Sequence, residues 1–390
     1  MTKQATAGVQ PSVLRWARET LGMSVPEVAQ RLKRPIAEIE AWEAGAEAPT
    51  YPQLEKLAYS IYKRPLAVFF LPTPPDEVAP KREFRTLPEA DISSLARDTR
   101  LHIRDAHAFQ LALSDVFEGR NPAQPLIWKV LRLSREEPIE IQAREIRGVL
   151  GIDMEQQAAW SDDDVALKQW RGAVEGVGVF VFKNAFKQKD ISGFCLTHDQ
   201  FPIIYLNNST TKTRQIFSLL HELAHLLFHV NGLSKFDPGY IDALAGPSQA
   251  TERFCNAMAA EVLIPADDFA QQSAGLPRDS ERLSDEHVAG LAARYGVSRE
   301  AVLRRLLDQG RVPQTLYDEK SRHWASQRKP SSGGDWYASR NVYLSQRFAQ
   351  AVISQHYRDR ISTEQASDLL GIKAKNFAGV EQRILQGAGA

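Results

Sequence analysis

Cysteine is scarce in this chain: Cys195 and Cys255 are the only two in 390 residues. That excludes a disulfide framework and a cysteine-ligated zinc site, and it suits a reducing compartment. Excess charge of either sign is missing as well. Lys plus Arg number 48 and Asp plus Glu number 48, so no overall basic character marks a nucleic-acid binder, although a local basic face stays open. Long apolar runs are lacking too. The run LAVFFL at 66–71 falls far short of the roughly 18 residues that span a bilayer, and MTKQATAGVQPS at the start holds no basic region followed by an apolar one. A cytoplasmic protein with no membrane partner is the expectation. The length favours two or three domains.

Residues 12–70 carry apolar side chains at helical spacing: Val13, Leu14, Ala17 and Leu21, then Val28, Ala29 and Leu32, then Ile36, Ile39 and Trp42, then Leu54, Leu57, Ala58 and Ile61. Ser24 with Glu27 forms a capping-box pattern, and Gly22 and Gly45 sit where helices stop. Four prolines in LPTPPDEVAPK at 71–81 mark a linker. The segment 82–157 reads as a helical connector, and a helix is expected over 162–175. Alternation at Val177, Val179 and Val181 then predicts a strand. Two more follow, from Ile191 and over 201–206, joined through His198, Asp199 and Gln200. Helices are expected over 212–230 and 249–263, as a pair over 284–310, and again over about 341–358 and 362–385. SQRKPSSGGDW at 326–336 reads as a loop.

The chemistry concentrates in His221-Glu222-Leu223-Ala224-His225. Residues four apart on a helix share a face, about 6 Å apart along the axis. Two imidazoles so placed can grip one Zn²⁺, and Glu222 beside them can take a proton from the attacking water. His229 lies about 12 Å along the axis from His221, too far to share the ion. Glu252 is the better third ligand. It opens a helix whose small residues Ala257, Ala259 and Ala260 permit close packing, and its carboxylate leaves a fourth position for water. Glu261 and Asp267 are rivals. Asn256, one turn on, is a second-layer partner of the ligands. Tyr205 and Tyr240 are the hydroxyls to consider for an oxyanion, and the strand at 202–207 is the expected edge for an extended peptide.

The run PIIYLNN…RQIFSLLHELAHLLFH at 202–229, followed by ERFCNAMAAEVLIP at 252–265, resembles the ImmA/IrrE metallopeptidases. The resemblance implies a small α+β minimal zincin domain over 158–312 within a mainly α chain, with Zn²⁺ held by His221, His225 and Glu252 and Glu222 as general base. It also implies regulatory cleavage of a repressor.

Residues 9–72 resemble an Xre/Cro-type helix-turn-helix of five helices, through SVPEVAQRL, the Trp-Glu-x-Gly at 42–45 and Pro49. Operator binding by the helix near 35–43 is what that implies. The residues of that helix leave DNA binding and its alternative balanced: Pro35, Ile36, Ala37, Glu38, Glu40 and Ala41 stand where base-reading Gln, Asn, Ser or Arg are expected. Residues 1–75 hold nine Lys/Arg and seven Asp/Glu, a net of +2. Lys33 and Arg34 are the candidate DNA contacts, and a protein-docking module on the same scaffold is the alternative. The tail over 313–390 is expected to be a helical extension. Within it, residues 337–385 are similar to the end of longer Xre-ImmA/IrrE proteins, which resemble regulators of toxin–antitoxin or mobile-element modules. The stretch 320–329, with Trp324 among basic residues, reads as a charged surface loop or a site for nucleic acid or an acidic partner.

Two functions follow. One is an endopeptidase that cuts a specific repressor or toxin-module protein. The other is a non-proteolytic antitoxin or transcriptional regulator that neutralises a toxin or binds operator DNA. A homodimer is compatible with either.

Overall fold

The computed structural model describes residues 5–77, 84, 92–188, 190–235, 238–277, 283–326 and 343–387. The end of the proline-rich linker at 78–81, most of the polar loop at 326–336 and the start of the expected helix at 341 lie outside the described residues. The chain divides into two units, Met1–His107 and Ala108–Ala390.

In the first unit, α1 (Pro11–Glu19), α2 (Val25–Leu32), α3 (Ile36–Ala44) and α4 (Tyr51–Glu55) follow the expected periodicity, and α4 runs on as a π-helical turn over Lys56–Tyr62. The Ser24 hydroxyl caps the Glu27 N–H while the Glu27 carboxylate accepts the Ser24 N–H at 2.7 Å. Gly45 ends α3 at φ 78, a conformation glycine adopts without steric cost. Val13, Val28, Trp42, Leu54 and Ala58 are buried together. Ile36 is not: it is 46 % exposed on the outer face of α3. The Arg18 guanidinium holds the buried Glu43 carboxylate at 2.7 Å. The boundary between the units falls within α5 (Arg97–Val116).

The second unit opens with α6 (Ile127–Val130), α7 (Ile139–Leu150), α8 (Met154–Ala158) and α9 (Asp163–Gly176). The sheet follows as β1 (Phe180–Asn184), β2 (Ile191–Leu196) and β3 (Ile203–Asn207), then α10 (Lys212–Leu227) and β4 (Gly232–Lys235). Helices α11 (Pro238–Ala243), α12 (Gly246–Leu263), α13 (Ala266–Ser273), α14 (Asp285–Tyr295), α15 (Arg299–Asp308) and α16 (Gln314–Ser326) complete the middle, and α17 (Gln346–Tyr357), α18 (Thr363–Leu369) and α19 (Phe377–Gly387) the tail. The architecture is mainly α with one small mixed sheet. None of the described helices is long and apolar enough to cross a membrane.

Two strand expectations are corrected. β1 starts at Phe180, because Val177 caps α9 and Gly178 turns the chain at φ 98. A Cβ there would sit 2.7 Å from the Leu126 side chain. Nor is β3 an edge. The order is β1-β3-β2-β4, with β1 parallel to β3 and β2 antiparallel to both β3 and β4. The unbroken apolar run IIYL fits a strand covered on both faces. Among the described residues β4 pairs with β2 alone and β1 with β3 alone, so these two are the edges, and β4 is the one beside the metal donors.

One sheet face, through Val181, Cys195, Ile204 and Leu206, shares a core with Leu219 and Leu223 of α10. The other face is aromatic. Phe182 stacks on Phe109 at 4.1 Å and meets Phe348 of α17 at 5.8 Å, while Tyr205 stacks on Phe194 at 5.2 Å. Each such pair contributes about 0.5–1.5 kcal/mol beyond area burial. α17 is fastened there by backbone contacts. Arg171 of α9 donates to the carbonyls of Val181 and Leu344, and Glu175 accepts the Gln346 N–H at 3.2 Å. Trp324 is likewise anchored, which corrects the surface-loop reading over 320–326, where the chain is helical; 327–329 lie outside the described residues. Its ring is buried, its Nε1 donates to Asp285 at 3.3 Å, and Arg299 lies 4.8 Å over it.

Lys183 is the misfit of the sheet. It sits on the helix side of β1, 3 % exposed, with Gln215 Oε1 at 3.4 Å. Burial, aided by Arg171 and Lys212, pushes its pKa down to about 6. The unfolded chain therefore binds a proton between pH 6 and about 10.5 that the folded chain does not, and stability rises with pH across that window. The full cost is present below pH 6, where both states are charged. Lys183→Met is expected to stabilise the protein at pH 7 by on the order of 2 kcal/mol and to flatten the pH dependence of Tm. Equal melting curves for both proteins from pH 6 to 9 would refute this.

Candidate metal centre

The site is built from two helices and one strand. α10 buries Ile216, Leu219, Leu220, Leu223 and Leu227, and the polar residues interleaved with them are carried into the core as well. His221 is 3 %, Glu222 0 % and His225 1 % exposed. α12 packs along α10 through Cys255, Met258, Ala259 and Val262, and its Glu252 lies at the same level.

His221 Nε2 and His225 Nε2 are 3.0 Å apart. Glu252 spans both, with Oε2 3.3 Å from His221 and Oε1 3.3 Å from His225. Burial pushes the Glu252 carboxyl up, but His225 and His221 outweigh it and hold the group well below the usual carboxylate range. Donors of a tetrahedral Zn²⁺ at about 2.0–2.1 Å lie about 3.3 Å from one another, so this set fits the ion. The three ligand atoms all fall within 4.8 Å. Burial pushes the Cys195 and Cys255 thiols up, which makes both poor metal ligands.

Glu222 points its carboxylate at β4. The Ser234 hydroxyl donates to Glu222 Oε1, while Oε2 is buried and makes no hydrogen bond among the described residues. Gly232 lies against the same groups. A Cβ on it would stand 2.5 Å from His225 Cδ2 and 2.7 Å from Glu222 Oε2. Its N–H donates to Cys195 Sγ at 3.2 Å, which fixes the strand. Neither Gly232 nor Ser234 was foreseen from sequence. A four-residue strand is too short to show alternation, and Asn231-Gly232 was the only turn signal.

The other candidates separate cleanly. His229 is exposed at φ 56, one residue past the cap of α10. Glu261 accepts the Ala266 N–H at 2.8 Å and pairs with Arg305. Asp267 is exposed, 3.4 Å from Arg144. Asn256 and Tyr240 line the cavity beside His221 and Glu252, whereas Tyr205 belongs to the aromatic face. In the first unit, Lys33 is exposed at φ 58 where α2 ends, and Arg34 reaches Glu38 at 3.9 Å. The outer face of α3 presents Ile36, Ala37 and Glu40, none of them an amide.

Two imidazoles and two carboxylates gathered on a buried helix pair have the donor chemistry of a metallopeptidase. Residues 174–307, 134 of the 390, match the family model described as Peptidase_M78, IrrE N-terminal-like domain. That family is one of metallopeptidases with a regulatory role, and the matched span contains every residue of the metal site. No curated protein matches the chain.

Proposed function

We propose that this chain is a zinc-dependent regulatory endopeptidase that cuts a specific repressor or toxin-module protein. The observation that carries the reading is Glu222, a buried carboxylate with one oxygen held by Ser234 and the other without a hydrogen-bond partner among the described residues, beside the donor set. A metal site that only stabilises the fold has no use for such a group.

Zn²⁺ on His221, His225 and Glu252 would supply Lewis acidity to the scissile carbonyl and to the attacking water. Glu222 Oε2 takes the water's proton and passes it to the leaving amine. Ser234 fixes the carboxylate so that the free oxygen keeps its aim. The side of β4 turned away from β2 accepts an extended peptide by strand addition, and Gly232 keeps the space between strand and imidazole clear. Asn256 acts from the cavity wall on the position of Glu252. Of the two tyrosines, Tyr240 alone lines the cavity.

A second reading is a protein that binds and neutralises its partner without cutting it. The outer face of α3, which exposes Ile36 at 46 % together with Ala37 and the acidic Glu40, favours a protein over operator DNA as the partner of the first unit. One experiment separates the readings. The full chain is analysed for zinc and mixed with the proteins encoded by neighbouring genes, with and without a chelator. About one zinc per chain and chelator-sensitive cleavage of one partner is the expected result. A partner bound yet intact under full zinc loading would sink the peptidase reading in favour of the second.

A further inference from the structure

The helices α18 and α19 of the tail repeat the plan of α2 and α3, at one constant offset along the chain. Ser24 and Ser362 are the N-caps, and each closes a capping box with the side chain three residues on, Glu27 in one and Gln365 in the other. One turn later Val28 and Ala29 are buried, and so are Ala366 and Ser367. The turn falls at Lys33, φ 58, and at Gly371, φ 62. The chain becomes helical again at Ile36 in the first unit. In the tail it does so at the matching Ala374, through a 3₁₀ turn over Ala374–Asn376 that leads into α19. Ile39 and Trp42 then face inward from α3, as Phe377 and Val380 do from α19. α17 supports both tail helices, and its His356 ring meets Phe377 edge to face at 4.9 Å.

What differs is the outward face. Where α3 presents Ile36, Ala37, Glu40 and Ala44, the tail presents Ala374, Lys375, Ala378 and Gln382, all exposed, with Lys373 just before them. The first set carries an acid and an isoleucine. The second carries two lysines and an amide, with methyl groups between them. The acids of the tail lie off that face: Asp359 follows α17, Glu364 and Asp368 sit on α18, and Glu381 hydrogen-bonds the Tyr357 hydroxyl. We infer that α18 and α19 form a helix-turn-helix and that the outward face of α19 docks in the major groove of duplex DNA. Lys373 and Lys375 neutralise phosphates. Gln382 can bond an adenine edge in two places, and Ala374 and Ala378 can meet thymine methyls. The plan alone would not decide the partner, since one scaffold serves many functions; the residues on the face do. The inference stands apart from the peptidase reading and places the nucleic-acid contact in the tail, away from the first unit.

The test uses the full chain and a pool of labelled duplexes of random sequence, about 20 base pairs or two helical turns long. Binding is expected at about 50 mM salt, with log affinity falling linearly as log salt rises. Lys373→Gln combined with Lys375→Gln should weaken it about tenfold or more and lower the salt slope by about two. The melting temperature should not change, because both side chains are exposed. Ala378→Glu sets a carboxylate on the outward face and should abolish binding. Lys33→Gln combined with Arg34→Gln should leave it as in the wild type. No binding by the wild-type chain overturns the inference, as does undiminished binding by either tail variant. Equal affinity for duplex RNA, whose narrow major groove does not admit side chains, overturns the groove contact as well.

Discussion

Glu222→Gln is expected to keep its zinc and lose its proteolysis, with kcat lower by about 10²–10⁴-fold. The substitution changes one atom. The amide oxygen still accepts from Ser234, and the three ligand atoms on His221, His225 and Glu252 are untouched, so folding and metal content should match the wild type. What disappears is a group able to take a proton from water and return it to an amine. Zinc analysis and turnover measured on one preparation decide the matter. Undiminished cleavage would remove Glu222 from the mechanism. Loss of zinc alongside activity would instead make it a structural residue.

Gly232→Ala should damage the centre from the other side. The added methyl would stand 2.5 and 2.6 Å from two carbons of the His225 ring and 2.7 Å from Glu222 Oε2. Neither neighbour is the far end of a flexible chain in open space, since both are 1 % or less exposed. Something in the site must shift. We expect zinc affinity to fall at least about tenfold, as for losses of groups that orient ligands, and stability to drop by about 1–3 kcal/mol. Gly172→Ala provides the contrast: nothing lies within 4 Å of a Cβ there, and a helix gains from alanine. Wild-type zinc affinity in Gly232→Ala would show that β4 does not press on the imidazole.

The helices and the grouping of His221 with His225 were legible because both rest on the 3.6-residue period. The same spacing that buried Leu219, Leu223 and Leu227 placed His221 and His225 on one face, and arithmetic along the axis removed His229. Glu252 was legible as a carboxylate on the following helix. What removes Glu261 and Asp267 is three-dimensional: one caps α13 and pairs with Arg305, and the other lies in solvent. β4 was not legible, since four residues give no period, and its contribution to the site is a hydroxyl and a missing side chain. The edge strand was misassigned because sheet order depends on the parallel return of β1 beside β3, which no local pattern encodes. The depressed pKa of Lys183 escaped for a related reason: the burial of a strand residue depends on what covers the sheet.

The Ser234–Glu222 hydrogen bond separates two properties that are usually measured as one. On the peptidase reading the metal would be held by α10 and α12, while the base would take its orientation from a four-residue strand on the sheet edge. Loading and turnover thus have different supports. A change confined to the outer end of β4 can idle the base while leaving all three ligands in register. Were the proposed peptidase activity present, a full complement of zinc would measure helix packing, and only turnover would report the position of the strand.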